Sequence, residues 1–280
     1  MKLLRYGPAG GERPGLLDDG GTIRDLSGEI DDLTAANLAP AVLDRLRRLD
    51  HEALPAVVDD SRVGVPVAGI GKIVAVGLNY ADHAKEAGLP IPEEPVLFTK
   101  TTSAISGPND PVKIPRGSIK TDWEVEIAFV IGATARYVSD ADAASHIAGY
   151  CVLNDVSERE FQIERGGQWM KGKCADTFAP IGPWLVTPDE VGDPQALGMW
   201  LDVNGTRRQD GNTSTMIFSC VHCLSYISHF MTLEPGDVVT TGTPPGVGLG
   251  QKPPVFLKPG DVMTLGIDRL GVQRQELIAA

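Results

Sequence analysis

Three carboxylates, a histidine–glutamate pair and a lysine are the residues of this sequence whose types and spacing could do chemistry. Glu124 and Glu126 stand two apart in the run from Asp122 to Gly132. Its β-branched and aromatic residues and closing glycine predict one strand over 122–132. Side chains alternate along a strand, so both glutamates share a face with Ala128 and Val130. An exposed strand end would read the same way. Out of water, though, two carboxylates this close need a cation or a shared proton. Asp155 ends a second apolar run, 147–155, and could equally brace the turn that follows it. The pattern Ser157-Glu158-Arg159-Glu160 predicts a helix starting there, with Arg159 and Gln162 on one face. Together Glu124, Glu126 and Asp155 offer oxygen ligands only, a set that selects Mg²⁺, with Mn²⁺ or Ca²⁺ as substitutes. Three protein ligands leave coordination positions open for water and substrate.

His83 and Glu86 fall three apart in a short predicted helix, with Asn79 as its N-cap and Gly88 as its left-handed stop. An ordinary surface pair has that spacing too. In a cleft the carboxylate orients the ring and raises its basicity, as a general base requires. Lys173 follows Gly172 in a Gly/Pro-rich stretch, where a lysine is either solvated or placed to meet a developing oxyanion. Residues 240–248, Thr-Thr-Gly-Thr-Pro-Pro-Gly-Val-Gly, form a turn whose backbone N–H groups could cradle an anion. It lacks the Gly-Lys-Ser/Thr ending of a phosphate loop. Cys220-Val221-His222-Cys223 has no second pair at zinc spacing and sits in an apolar helical run, 216–231, so its thiols read as buried small hydrophobes.

The elements that must hold these residues fit an ordinary globular chain of 280 residues, 42% hydrophobic and 22% charged. The 32 glycines and 21 prolines favour many turns and a β-rich architecture. A net charge of −12 argues against nucleic acid or an anionic membrane as the main partner. The absence of a signal pattern and the four cysteines point to the reducing cytoplasm. Residues 1–61 read as a small α/β domain: Asp19-Gly20-Gly21 turns a hairpin between 13–17 and 22–26, and 40–49 is an amphipathic helix. Residues 59–71 link it to a larger domain, 72–280. Within the latter, Leu233-Glu234-Pro235-Gly236-Asp237 and Leu257-Lys258-Pro259-Gly260-Asp261 repeat one turn chemistry.

Taken in order, Gly77-Leu78-Asn79-Tyr80-Ala81-Asp82-His83, Glu124-Val125-Glu126, Asn154-Asp155-Val156-Ser157, Gly172-Lys173 and Thr241-Gly242-Thr243-Pro244 resemble the fumarylacetoacetate hydrolase family. The resemblance runs from about residue 73 to the C-terminus. It implies an α+β fold, a β-rich mixed-sheet roll with a small N-terminal domain, and a homodimer. It makes Glu124, Glu126 and Asp155 the metal ligands, His83 and Glu86 the catalytic dyad, and Lys173 the oxyanion partner. Arg159, Gln162 and Thr243 would contact a small anionic oxo acid. The implied reaction is hydrolysis of the C–C bond of a 2,4-dioxo acid to release pyruvate. Isomerisation or decarboxylation of a 2-oxo or hydroxymuconate-type diacid is the alternative, and a non-catalytic ligand-binding relative the third. Leu78 departs from some acylpyruvase members, which carry arginine there. Residues 166–173 resemble the branch acting on 2,4-diketo-3-deoxy sugar acids such as those from L-fuconate or L-rhamnonate.

Overall fold

The computed structural model describes residues 1–58, 61–88 and 90–280. Residues 59 and 60 of the expected link lie outside that description. In chain order the strands are β1 (Lys2–Tyr6), β2 (Arg13–Leu17), β3 (Ile23–Asp25), β4 (Ile73–Gly77), β5 (Val96–Lys100), β6 (Ile105–Ser106), β7 (Val112–Ile114), β8 (Thr121–Asp122), β9 (Val125–Ile131), β10 (Ile147–Asn154), β11 (Ser157–Glu158), β12 (Ala179–Val186), β13 (Gly198–Val203), β14 (Thr206–Asn212), β15 (Val238–Thr240), β16 (Val262–Ile267) and β17 (Gly271–Ala279). The helices are short: α1 (Pro40–Arg47), α2 (Ala81–Ala87), α3 (Asp140–Ala143), α4 (Met170–Lys173), α5 (Pro188–Val191) and α6 (Cys220–Ser228). None among the described residues is long and apolar enough to cross a membrane.

A mixed sheet runs β3-β2-β1-β12-β10-β9-β15-β4-β5, with β6 beside β12. A second sheet, β14-β13-β16-β17-β7, packs against it. The fold is thus the mixed, mostly β α+β arrangement that the turn-rich composition favours. Every residue of β9 and β10 is buried. Both faces are covered, which is why these strands are almost continuously apolar instead of alternating. Covering a sheet on both sides leaves backbone groups and strand ends to be satisfied from the second layer. Three fully buried glutamines do this. Gln209 accepts from Val125 N at 2.9 Å and donates to the Pro244 carbonyl at 2.8 Å. Gln273 donates to the Val152 and Gly182 carbonyls, and Gln275 accepts from the Asn154 amide at 3.0 Å.

The N-terminal hairpin forms as read, Leu17 opposite Ile23, but its strands do not stand apart. β1 pairs with β12, Leu3 opposite Leu185, so residues 1–58 extend the main sheet. The two Pro-Gly turns share one chemistry: Asp237 accepts from Glu234 N, and Asp261 from Lys258 N, each at 2.7 Å.

Four local expectations are corrected. The strand 122–132 breaks at Trp123 and Glu124, because β8 turns aside to pair with β11. Ser157 therefore starts no helix; it lies in β11, and a wide π-type turn, Glu160–Glu164, follows. Asn79 does not cap α2, since its side chain is drawn inward to the Phe218 and Thr241 carbonyls and the Phe218 amide. The helix expected over 216–231 spans only Cys220–Ser228, where Ser219 accepts from His222 N.

Candidate active site

Pairing of β9 with β10 puts Glu126 opposite Leu153, and Asp155 N donates to the Glu124 carbonyl at 2.9 Å. The glutamates lie at the start of one strand and the aspartate just beyond the end of its antiparallel neighbour. One ligand atom from each of Glu124, Glu126 and Asp155 lies within 4.8 Å of the others, and all three residues are buried. Among the described residues this is the one group of three or more acidic, His or Cys side chains so placed. Cys220 and Cys223 are buried, and burial pushes the Cys220 thiol up to about 12. Among the described residues neither belongs to a group of three or more side chains that could hold a metal ion.

The charges around the cluster are unequally shared. Lys173 Nζ donates to Glu124 and Asp155, each at 2.7 Å. Lys100 Nζ donates to the other Asp155 oxygen and to the Val156 carbonyl. Arg159 is 2.7 Å from both Glu124 and Asp122, and donates to Gln162 at 3.1 Å. Glu126 has no such cation; it accepts from the Thr240 hydroxyl and from Gly242 N at 2.9 Å. Four acids, with Asp122 counted, thus face three bases. Burial opposes ionisation of Glu124, but Lys173 and Arg159 outweigh it and hold its carboxyl below the usual range. Burial, with Asp155 and Glu124 adding repulsion, pushes Glu126 well above it. Burial also lowers Lys100, against the pull of Asp155, whereas Asp155 and Glu124 overcome burial at Lys173 and raise it. A dense all-oxygen set with one uncompensated carboxylate fits a divalent cation, which would supply the missing positive charge.

The dyad forms. His83 Nδ1 lies 3.0 Å from Glu86 Oε2. An ionised carboxylate can only accept, so in this pairing Nδ1 donates to Glu86 and Nε2 is the ring's other nitrogen. Glu86 is itself fixed by Gly246 N, at 3.0 and 3.2 Å to its two oxygens. Its carboxyl lies 2.8–3.1 Å from where a Cβ on residue 250 would sit, so a side chain there would push Glu86 aside. The glycine-rich turn therefore cradles carboxylates of the protein itself: Glu126 at Gly242, Glu86 at Gly246 and Asp122 at Gly248.

A cavity of about 580 Å³ brings the two groups together, lined by His83, Glu86, Glu124, Glu126, Gln162 and Lys173 among others. Arg159 and Thr243 also line it. The guanidinium of Arg159 donates to Asp122 and Gln162, and its Nη2 lies 2.7 Å from Glu124 without a hydrogen bond. The Thr243 hydroxyl donates to the Val125 carbonyl and accepts from Gln209.

Two positions at the cluster escaped the sequence reading. Lys100 ends the apolar run of β5 and shows in the sequence only as a lysine two residues after Phe98. Asp122 reads as a strand residue. Instead it accepts from Gly248 N at 2.6 Å, Leu249 N at 3.0 Å and Arg159 Nε at 2.7 Å, bolting the glycine-rich turn to the arginine beside Glu124.

A β-rich roll holding a buried Glu-x-Glu and Asp cluster under a His–Glu dyad defines one class of protein, and the comparisons agree. Residues 72–278 match the family described as Fumarylacetoacetate (FAA) hydrolase C-terminal, and the chain belongs to the fumarylacetoacetate hydrolase family. A Burkholderia ambifaria protein, whose name says hydrolase and no more, is 61% identical over 276 residues, covering 98% of each chain. Maleylpyruvate hydrolase from Sphingobium sp. SYK-6, solved with manganese(II) and pyruvate, is 31% identical with a TM-score of 0.82 over all of both chains. The 5-carboxymethyl-2-hydroxymuconate delta-isomerase of Mycobacterium smegmatis is 33% identical with a TM-score of 0.80, over 100% of this chain and 99% of its own.

Proposed function

We propose that this chain is a metal-dependent hydrolase that cleaves the C3–C4 bond of a 2,4-dioxo acid and releases pyruvate. The observation that carries the reading is the placing of an oriented base and an acid cluster in one cavity, with Lys173 on its floor. The relative solved with manganese and pyruvate supports it.

Glu124, Glu126 and Asp155 would hold the divalent cation, Mg²⁺ in our reading. When bound it supplies a Lewis acid and a template for the 2-oxo acid end of the substrate. His83 Nε2 takes a proton from water, whose oxygen adds to C4, and Glu86 stabilises the imidazolium that forms. The Lys173 ammonium lies on the floor where negative charge would develop. The C3–C4 electron pair then passes to C3 as the enolate of pyruvate. A proton returned from His83 completes pyruvate, and the acyl group leaves as a carboxylic acid. Gln162 turns its amide to the same cavity and would orient the substrate.

The relatives named as isomerases favour a second reading, in which His83 moves a proton along the carbon chain and no water is added. Product analysis separates the two: hydrolysis gives pyruvate plus an acid, isomerisation a single product. For either reading Glu86→Gln should lower kcat by about 10²–10³-fold, since it removes the group that charges the base. Metal affinity should stay within a few-fold. Full turnover by this variant would end the case for the dyad.

A further inference from the structure

The cavity has two unlike halves. Its floor is charged and buried, from Glu124 at 6% exposure to Lys173 and Glu126 at 2%. Toward solvent the wall is built from Leu78, Phe98, Ile163, Trp169, Leu249 and Pro254. Ile163 is 52% and Leu249 39% exposed, so these side chains form a mouth and not a closed core. Large apolar groups held open around a concave site mark the surface that a ligand covers.

This wall is constructed at some cost. Leu78 takes a left-handed backbone, φ +55°, which a leucine adopts against its preference. Trp169 packs so close to β4 that a Cβ on residue 77 would lie 2.5 Å from its ring, and only Gly77 leaves room. Phe98 meets the edge of the same indole at 5.5 Å between centroids. It also lies 5.2 Å from Lys173 Nζ, so the apolar wall begins directly above the floor. Polar groups at the mouth are few. The Gln251 amide is turned back to the Gly246 and Val247 carbonyls, and Lys252 stands exposed on the far rim.

We propose that the outer half of the cavity is a subsite for an apolar group, and that the substrate carries an alkyl, alkenyl or aryl substituent beyond C4. This rests on the reading that a 2-oxo acid end sits on the floor. A polyol chain, the expectation drawn from residues 166–173, would find almost no partners on this wall. A distal carboxylate would have only Lys252.

Three six-carbon 2-oxo acids that cannot be cleaved test this by calorimetric titration in Mg²⁺ buffer: 2-oxohexanoate, 2-oxoadipate and a 2-keto-3-deoxyhexonate. The first should bind tightest. It should exceed 2-oxobutanoate by about fourfold per added methylene, roughly fifteenfold in all. Trp169→Ala should collapse that ratio toward one. Leu249→Asp, at a position exposed enough to take a charge without disturbing the core, should lower it in the same direction. Equal or tighter binding of the diacid or the polyol, no binding of any of the three, or an unchanged ratio in both variants would each overturn the proposal. Pyruvate release from 2,4-dioxo acids is measured alongside. A protein that binds in the expected order but releases no pyruvate keeps the subsite and refutes the hydrolase reading.

Discussion

Glu126 is the residue on which the electrostatics of this site turn. Its neighbours Glu124 and Asp155 each hold a lysine, and it holds only a hydroxyl and an amide. Its carboxyl is held well above the ordinary glutamate range, so the metal-free folded chain binds a proton that the unfolded chain gives up. The sign follows: this stability is present below the ordinary glutamate pKa and is lost as pH rises through the raised value. Metal-free protein should therefore melt at lower temperature at pH 8 than at pH 5, by roughly 2–4 °C for each ~1 kcal/mol lost. Glu126→Gln should flatten that dependence and weaken metal binding at least ~100-fold. Thermal melts with and without chelator, across pH, would read both. A metal-free wild type whose melting temperature does not fall with pH would show that Glu126 ionises normally.

At the scale of elements, Asp122 joins the glycine-rich turn to the segment that carries Arg159. It holds the turn at Gly248 and Leu249 and, through Arg159, the side chain of Glu124. Asp122→Asn would put an amide N–H against the Arg159 donor and leave a buried guanidinium short of a partner. A loss of about 3–5 kcal/mol is expected, visible in denaturant melts. A loss under ~1 kcal/mol would mean that Glu124 and Gln162 hold Arg159 unaided. The glutamate pair and the His83–Glu86 contact were legible because their spacings are local, two residues and three, while Asp155 showed only as the carboxylate ending a second apolar run. The sequence did not show Asp122 or Lys100, whose partners lie 126 and 55 residues away. Ser157 misled for the same reason. Its local pattern is a helix cap, but pairing with β8 outweighs it. Asn79 is likewise drawn from its cap by residues 218 and 241.

In the whole molecule, the link near residue 60 separates two sequence regions but not two sheets. We keep 1–61 and 72–280 as a proposed division of the chain, and the pairing of β1 with β12 says what cutting there would do. A fragment of residues 72–280 would leave β12 with an open edge and uncover the side chains that Leu3 and Leu16 bury. It is expected to be insoluble or to melt well below the full chain, as expression and calorimetry would show. A fragment that matches the full chain in solubility and melting temperature would make the N-terminal region dispensable to the fold. The site, too, is finished from far along the chain. β15 fills the gap between β9 and β4, Gly242 then reaches Glu126, and Gly246 reaches Glu86 from 160 residues away. At about 5–20 residues per second of synthesis, His83 and Glu86 wait roughly ten to thirty seconds for that turn. Until it arrives the nascent chain carries two unpaired strand edges, and Glu126 and Glu86 lack the amides they accept from. The ribosome thus completes the main sheet and the amide contacts of Glu126 and Glu86 with the same late segment, and a chain ending before residue 246 lacks the N–H that Glu86 accepts from.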